Sequence, residues 1–421
     1  MINKGMKTQI KNFKIFELIF GIFLFLVLIF GRNFTGIYIF NYRIGELIVG
    51  IQIILFHYFI FSSNEKYFKY ILISILSLFY LKAFYVIFDI KDLNILRFSS
   101  SIWSISMFFL GKEIFFNKKV YLNLLGFSLI FLYLFNYVNY PEILINIFSN
   151  YGDKFDFAKP SDLFLIFCIT LFFSYKQLNF RSFTLILISS SFFYIPILFN
   201  QSRGTNVSLL CLFLLTILYT IFKRFNLIFN LRKILILIIL TSFFIGFTLQ
   251  NLNEATFTNE VIESNIFTLE VEKKESIGKA FYIDRGFLYS NDENINWRLT
   301  IWQTAIKDMF KENMWLFGFP IHQEIPIMMH PYYKTIFLEN YNLHNFFVQF
   351  FAYFGFLGIF LIISFFYLIT KKYIYIHKSI DILLVMIPIF LVSSFDSSME
   401  SVRFPLIFYF SLGLLINTKS S

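Results

Sequence analysis

Long apolar runs alternate with short polar breaks along most of this chain. The runs cover about 15–30, 44–61, 70–88, 98–111, 120–138, 161–175, 182–199, 206–222, 231–249, 345–369, 379–395 and 403–417. A bilayer core of about 30 Å takes roughly 20 helical residues, and most runs approach that length. The shorter ones, near 98–111 and 161–175, then extend into their flanks. The pattern predicts an all-α polytopic membrane protein of about twelve transmembrane helices. One large outward loop, containing short helices, interrupts it between Gln250 and Asn342. The organisation expected is a single integral membrane domain: helices one to nine over 1–249, the loop over 250–343, and helices ten to twelve over 344–421.

The loop divides in two. Residues 250–293 are polar and of mixed charge, with Glu270, Glu272, Lys273 and Lys274 close together, and read as a solvated stretch. In 294–313, Leu299, Trp302, Ile306, Met309 and Phe310 recur at helical spacing and form an apolar stripe. Trp297, Trp302 and Trp315 also fall here, which suits an amphipathic helix at headgroup level. Leu316-Phe317-Gly318-Phe319-Pro320 ends it.

Composition agrees with lipid as the main solvent: 57% of the 421 residues are hydrophobic and 15% are charged. The 64 phenylalanines read as codon bias rather than cofactor stacking. A net charge of +10 points to nucleic acid in a soluble chain, but its distribution here is topogenic. With the N-terminus cytoplasmic, 19 Lys and Arg fall on the inner side and only 8 in the short outer breaks. Both termini are then expected in the cytoplasm of a multi-pass bacterial inner-membrane protein, with the loop outside and no nucleic-acid partner. No small-residue cleavage pattern follows the Lys-rich N-terminus, so residues 15–30 read as a first span rather than a signal peptide. Cys168 and Cys211 lie within apolar runs, so no disulfide framework or zinc-cysteine site supports the loop.

Four outward-facing groups are candidates for chemistry. Ser202-Arg203-Gly204-Thr205 begins an apolar run. A hydroxyl can cap such a helix, Gly204 lets backbone approach a ligand, and free N–H groups beside Arg203 suit a phosphate. The alternative is an arginine that merely snorkels to the interface. Arg298 stands four residues before Trp302, at the start of the apolar stripe, and needs an anion: substrate, carboxylate or lipid headgroup. His344-Asn345 precedes the next run; histidine moves protons near neutral pH, although the pair can also be a helix cap. Asp396, Glu400 and Arg403 close the group, with the two acids on one helix face and Arg403 pairing with Glu400 as a structural ion pair. Lys82, seven residues before Asp89, is an intramembrane charge or reaches the outer surface. His322, His330, His344 and Glu324 match no metal-ligand spacing, so no metal is expected. No P-loop, dinucleotide fingerprint or nucleophile elbow is present, so no cofactor is expected; a substrate already activated by a phosphate leaving group fits better.

In order and spacing, these motifs resemble the O-antigen ligase and Wzy-type polysaccharide polymerase superfamily. Ser202-Arg203-Gly204 is similar to its Ser-Arg-Gly at a helix start, Arg298 to Trp302 to its Arg-x-x-x-Trp segment, and His344-Asn345 with Gly355 and Gly358 to its His-Asn segment. Gly318-Phe319-Pro320 departs from the Gly-x-Gly turn often found after the Arg-x-x-x-Trp helix. The resemblance implies a GT-C-like, metal-independent membrane glycosyltransferase whose donor is an undecaprenyl-diphosphate-linked oligosaccharide. It implies catalytic roles for Arg203, Arg298 and His344, and substrate contacts from Ser202, Gly204, Thr205, Trp302, Asn345 and Arg403. Divergence and aromatic content favour a repeat-unit polymerase, with a chain-length regulator protein as a partner. The alternatives are a ligase that transfers the glycan to lipid A-core, or a lipid-linked oligosaccharide flippase; the flippase usually shows two similar halves and short loops, and this chain shows neither.

Overall fold

The computed structural model of the chain describes residues 4–63, 65–83, 99–113, 118–138, 140–152, 159–177, 202–224, 281–284, 286–290, 293–321, 325–329 and 343–417. The apolar runs near 182–199 and 231–249, most of 250–293, and Asp89, Asp153, Asp156, His322, Glu324, His330 and Glu339 lie outside these residues.

The helices in chain order are α1 (Lys4–Thr35), α2 (Ile44–Ser62), α3 (Lys66–Ala83), α4 (Ile105–Glu113), α5 (Lys118–Val138), α6 (Glu142–Tyr151), α7 (Pro160–Gln177) and α8 (Arg203–Arg224). After them come α9 (Glu293–Lys311), the single turn α10 (Pro326–Met329), α11 (Phe346–His377), α12 (Leu383–Phe395) and α13 (Arg403–Ile416). A two-residue hairpin, β1 (Tyr38–Ile39) with β2 (Tyr42–Arg43), precedes α2. A second antiparallel hairpin, β3 (Phe281–Asp284) with β4 (Phe287–Ser290), precedes α9 and pairs Phe281 with Ser290 and Asp284 with Phe287.

The expectation of about twelve membrane-spanning helices is overturned. Among the described residues, four helices are long and apolar enough to cross a membrane: Glu17–Thr35, Ile44–Ser62, Lys118–Phe135 and Phe346–His377. The other described helices fall short in length or composition, and much of their surface is also covered by protein. Residues Leu163 to Phe173 of α7 and nearly all of α13 are shielded by protein. A helix that is apolar on every face is as well suited to the middle of a bundle as to lipid, and hydropathy does not distinguish the two. The apolar parts of α8, α12 and α13 also run only 10–17 residues. At 1.5 Å per residue such lengths reach about 15–25 Å, short of the bilayer core.

The expected loop of short helices is likewise not what forms. Its described part is the β3–β4 hairpin, which packs on α9, followed by the 19 residues of α9 and then α10. Gln303 ties hairpin to helix: its Oε1 accepts from the Leu288 amide at 2.7 Å and its Nε2 donates to the Leu288 carbonyl at 2.8 Å.

The core centres on α13, which packs most closely against α4. A Cβ on Gly413 would lie 2.1 Å from the Phe108 carbonyl oxygen, and one on Gly111 would lie 2.3 Å from that of Phe410. Two glycines therefore let these helices touch backbone to backbone, a common device where lipid removes the hydrophobic drive between helices and close packing must replace it. Around this centre α8 packs on α12, α5 on α7 and α1, and α3 on α11. At one end Glu65 pairs with both Lys112 and Lys372, tying together α2, α3, α4 and α11. Close to the ends of α7 and α11, the fully buried Asp381 takes Lys176 at 2.6 Å and the Tyr373 hydroxyl at 2.7 Å.

Candidate functional site

Helix α11 is not continuous: Gly355 interrupts it at φ 63° and ψ −166°. The turn after α9 fills the break. The Phe356 and Leu357 amides donate to the Trp315 and Leu316 carbonyls at 2.9 and 3.2 Å, and the Phe319 amide donates to the Ala352 carbonyl at 2.7 Å. Gly318, at φ 79°, approaches so closely that a Cβ there would meet the Tyr353 carbonyl carbon at 2.4 Å. This contact is what Gly318 in Gly318-Phe319-Pro320 provides. The first half of α11 is thus aimed by its fit against α9 rather than by the rest of its own helix.

The start of that half-helix is held equally firmly. Asn345 is its N-cap, with Oδ1 accepting from the Phe347 and Val348 amides at 3.0 and 3.1 Å. Leu343 donates its amide to Gln349 Oε1 at 2.9 Å and accepts the Trp302 indole N–H at 2.7 Å. His344 stands between these anchors at φ 53°. Left-handed backbone is uncommon outside glycine and costs on the order of 1–3 kcal/mol, so the surrounding hydrogen bonds must enforce it. The effect is to turn the imidazole towards Trp297, whose ring centroid lies 5.3 Å away.

The far wall is the end of α12. Its last carbonyls lack intrahelical partners and carry the negative end of the helix dipole. Arg298, one turn before Trp302 on α9, donates Nη1 to the Phe395 carbonyl at 2.8 Å. Asp396 follows in extended backbone and accepts the Ser161 hydroxyl at 2.7 Å. The first turn of α8 packs against the same corner: a Cβ on Gly204 would lie 2.5 Å from the Phe395 Cβ. Arg203 opens α8, and only its backbone is among the described parts. Ser202 is half-buried and its carbonyl accepts the Asn206 amide at 3.2 Å, while Thr205 is buried.

Electrostatics follow from this packing. Burial holds the His344 pKa below the usual histidine value; the Arg298 guanidinium pushes the same way, Asp396 opposes it, and Lys159 adds a smaller downward push. The imidazole is therefore neutral at pH 7 and can accept a proton. A base, a guanidinium and the N-terminus of a helix converge on one corner, the combination needed to deprotonate a hydroxyl beside a polyanion.

The ion pairing expected for the fourth group is corrected. Asp396 ends α12 and Glu400 sits in the separate 3-10 turn Ser398–Glu400, so the two do not share a helix face. Arg403 is buried and pairs with Asp162 rather than Glu400. Its guanidinium packs against Gly31, where α1 kinks. The cluster adjoins the corner through α7, since Ser161 and Asp162 are neighbours. The Trp302 indole N–H and the Asn345 Oδ1, both expected to contact substrate, are bonded to the backbone of 343–348. Sequence reasoning missed the role of the Phe395-Asp396 corner, and with it Ser161 and Lys159. Asp396 was visible as a charge between apolar runs, but neither partner has a motif. Among the described residues no group of three or more His, Cys, Asp or Glu could hold a metal ion.

Residues 183–363 match the family model described as Wzy_C, O-Antigen ligase, which supports assigning the chain to that family. The three motif segments all lie within the matched residues, so the resemblance drawn from them holds. The long apolar helices describe a membrane-embedded, multi-pass protein, and the matched residues are similar to the O-antigen ligase family. Among curated proteins none matches the chain.

Proposed function

We propose that this protein is an O-antigen ligase: it transfers a glycan from undecaprenyl diphosphate to a sugar hydroxyl of lipid A-core, on the periplasmic side of the inner membrane. The observation that carries the reading is the neutral His344 beside Arg298 at the α12 terminus. In the reaction, His344 takes the proton of the acceptor hydroxyl as its oxygen bonds to the anomeric carbon. The bond from that carbon to the diphosphate oxygen breaks, and the carrier diphosphate leaves with the electron pair. Arg298, Arg203 and the N–H groups at the start of α8 neutralise the charge that develops on it. Ser202 and Gly204 shape that anion site. Trp302, Asn345 and Thr205 act as positioning residues, because each is buried or already hydrogen-bonded within the protein. Arg403 has Asp162 as its partner and serves the packing of α1, α7 and α13.

The family description favours the ligase over the polymerase expected from composition. Aromatic content that follows codon bias carries no acceptor preference. The test is the surface glycan of a deletion strain. Glycan accumulating on undecaprenyl diphosphate, with bare lipid A-core, supports the ligase; lipid A-core bearing a single repeat unit would instead make the protein a polymerase.

A further inference from the structure

Lys82 takes no part in the chemistry above and matches none of the motifs, yet it reaches the joint that aims His344. It lies in the last turn of α3, and its Nζ donates to the Gly318 carbonyl at 2.6 Å and the Phe319 carbonyl at 3.3 Å. Those carbonyls belong to the turn that fills the break in α11. Breaking a helix leaves amides and carbonyls without their usual partners. Here Trp315 and Leu316 satisfy the Phe356 and Leu357 amides, and the Phe319 amide satisfies Ala352. The peptide units of this turn are therefore used in both directions, towards α11 through some groups and towards Lys82 through others. A lysine among apolar helices is retained at a cost unless its charge is well hydrogen-bonded. Two backbone carbonyls at the end of α3 supply those bonds.

The arrangement also joins α9 to α11 at two places. They are joined near their functional ends by the Trp302 bond to Leu343, and at the other end by the interlocked turn. Lys82 is the charged side chain that fastens the interlock to a third helix, α3. We propose that Lys82 is a positioning residue for the transfer reaction: by clamping the Gly318 and Phe319 carbonyls it fixes the half-helix that begins at His344-Asn345, and so the distance between His344 and Arg298. This role rests on the ligase reading of the site.

The test compares K82M, K82R and wild type, each purified as the full chain in lipid nanodiscs. The donor is carrier-linked glycan extracted from a strain lacking the gene, and the acceptor is lipid A-core. For K82M, turnover is expected to fall about 10- to 100-fold with KM for the donor changed by less than about 3-fold, since misplacement of a catalytic group by about 1 Å costs up to roughly 100-fold. Hydrogen exchange at the Phe319, Phe356 and Leu357 amides should rise by about 10-fold or more as the interlock loosens. K82R retains the charge and two donors and should recover at least half of the lost turnover on a logarithmic scale. Wild-type turnover in K82M, unchanged exchange at these amides, or K82R no better than K82M would each overturn the proposal. Should K82M fail to fold, K82Q, which keeps N–H donors without the charge, takes its place: turnover below that of K82R supports the clamp, and turnover equal to or above that of K82R would refute it. H344Q is the control. It should keep wild-type exchange at the three amides and lose transfer. Retained transfer in H344Q would sink the ligase mechanism while leaving the exchange result on K82M to judge the clamp.

Discussion

Substituting Gly204 by alanine tests whether the corner at Phe395 organises the site. The added Cβ would lie 2.5 Å from the Phe395 Cβ and 3.0 Å from its Cγ, whereas ordinary contact begins at 3.4 Å. The start of α8 and the end of α12 must therefore separate by about 1 Å, because neither group is the tip of a flexible side chain. Overpacking of this kind costs on the order of 1–3 kcal/mol, which the fold can absorb. The functional effect should be larger. The Phe395 carbonyl holds Arg298, and Arg203 leads into the same contact. A shift of about 1 Å between Arg298 and the start of α8 predicts roughly 100-fold lower turnover. The assay is transfer by purified protein in nanodiscs, with thermal unfolding measured in parallel. The sharper control is the double substitution G204A with F395G, which removes the clashing Cβ from the other side. It should recover much of the activity, at a stability cost of about 2–4 kcal/mol for the lost half-buried benzyl group and the added backbone freedom. Wild-type turnover in G204A, or a double variant no better than the worse single one, would refute the reasoning.

Other outcomes follow from the same geometry. Transfer requires neutral His344, whose pKa is held below the ordinary value, so the acid limb of the pH–rate profile should lie below pH 6.5. Because Asp396 opposes that depression, D396N should move the limb lower still; a limb that stays put or rises would be inconsistent with this charge balance. The linkage to stability has a definite sign. Unfolded chain takes up the proton at the ordinary histidine value and the folded site only at lower pH, so His344's contribution to stability is present above that value and is lost as pH falls towards the folded pKa. R298K preserves a charge but loses the guanidinium fork that binds a carbonyl and an anion together; turnover should fall by at least about 10-fold, and recovery of full activity would reduce Arg298 to a point charge. W302F removes the hydrogen bond to Leu343 and should cost about 1 kcal/mol by thermal unfolding with a lower kcat. A W302F protein matching wild type in both would show that the bond does not hold His344 in place.

Much of this molecule is legible in its linear pattern, and the errors are instructive. The stripe through Leu299, Trp302, Ile306 and Met309 marks a helix because its period depends on backbone geometry alone, and α9 covers it. The Arg298, His344 and Ser202-Arg203-Gly204 segments stand out because charge and polarity are rare at the edges of apolar runs. Counting membrane spans from those runs gave too many because an apolar run in the sequence need not form a helix long and apolar enough to cross a bilayer: Leu383–Phe395 and Arg403–Ile416 end short, and Phe404–Ile416 lies in the core. Arg403 was assigned to Glu400 by spacing, which presumes an unbroken helix; the break after Phe395 gave it Asp162 instead.

The amino-acid sequence alone determined that the protein lives in a membrane, which residues carry rare charges, and where α9 and α11 begin. Those properties depend on local composition and on periodicity within one segment. Only the tertiary structure decided that Gly318 fits into the break at Gly355, that Lys82 clamps the turn, and that Arg298 meets the carbonyl of Phe395. Each of these is a contact with a backbone atom remote in the chain. Backbone groups are the same at every residue, so no side-chain pattern could announce which of them would be left unsatisfied and available.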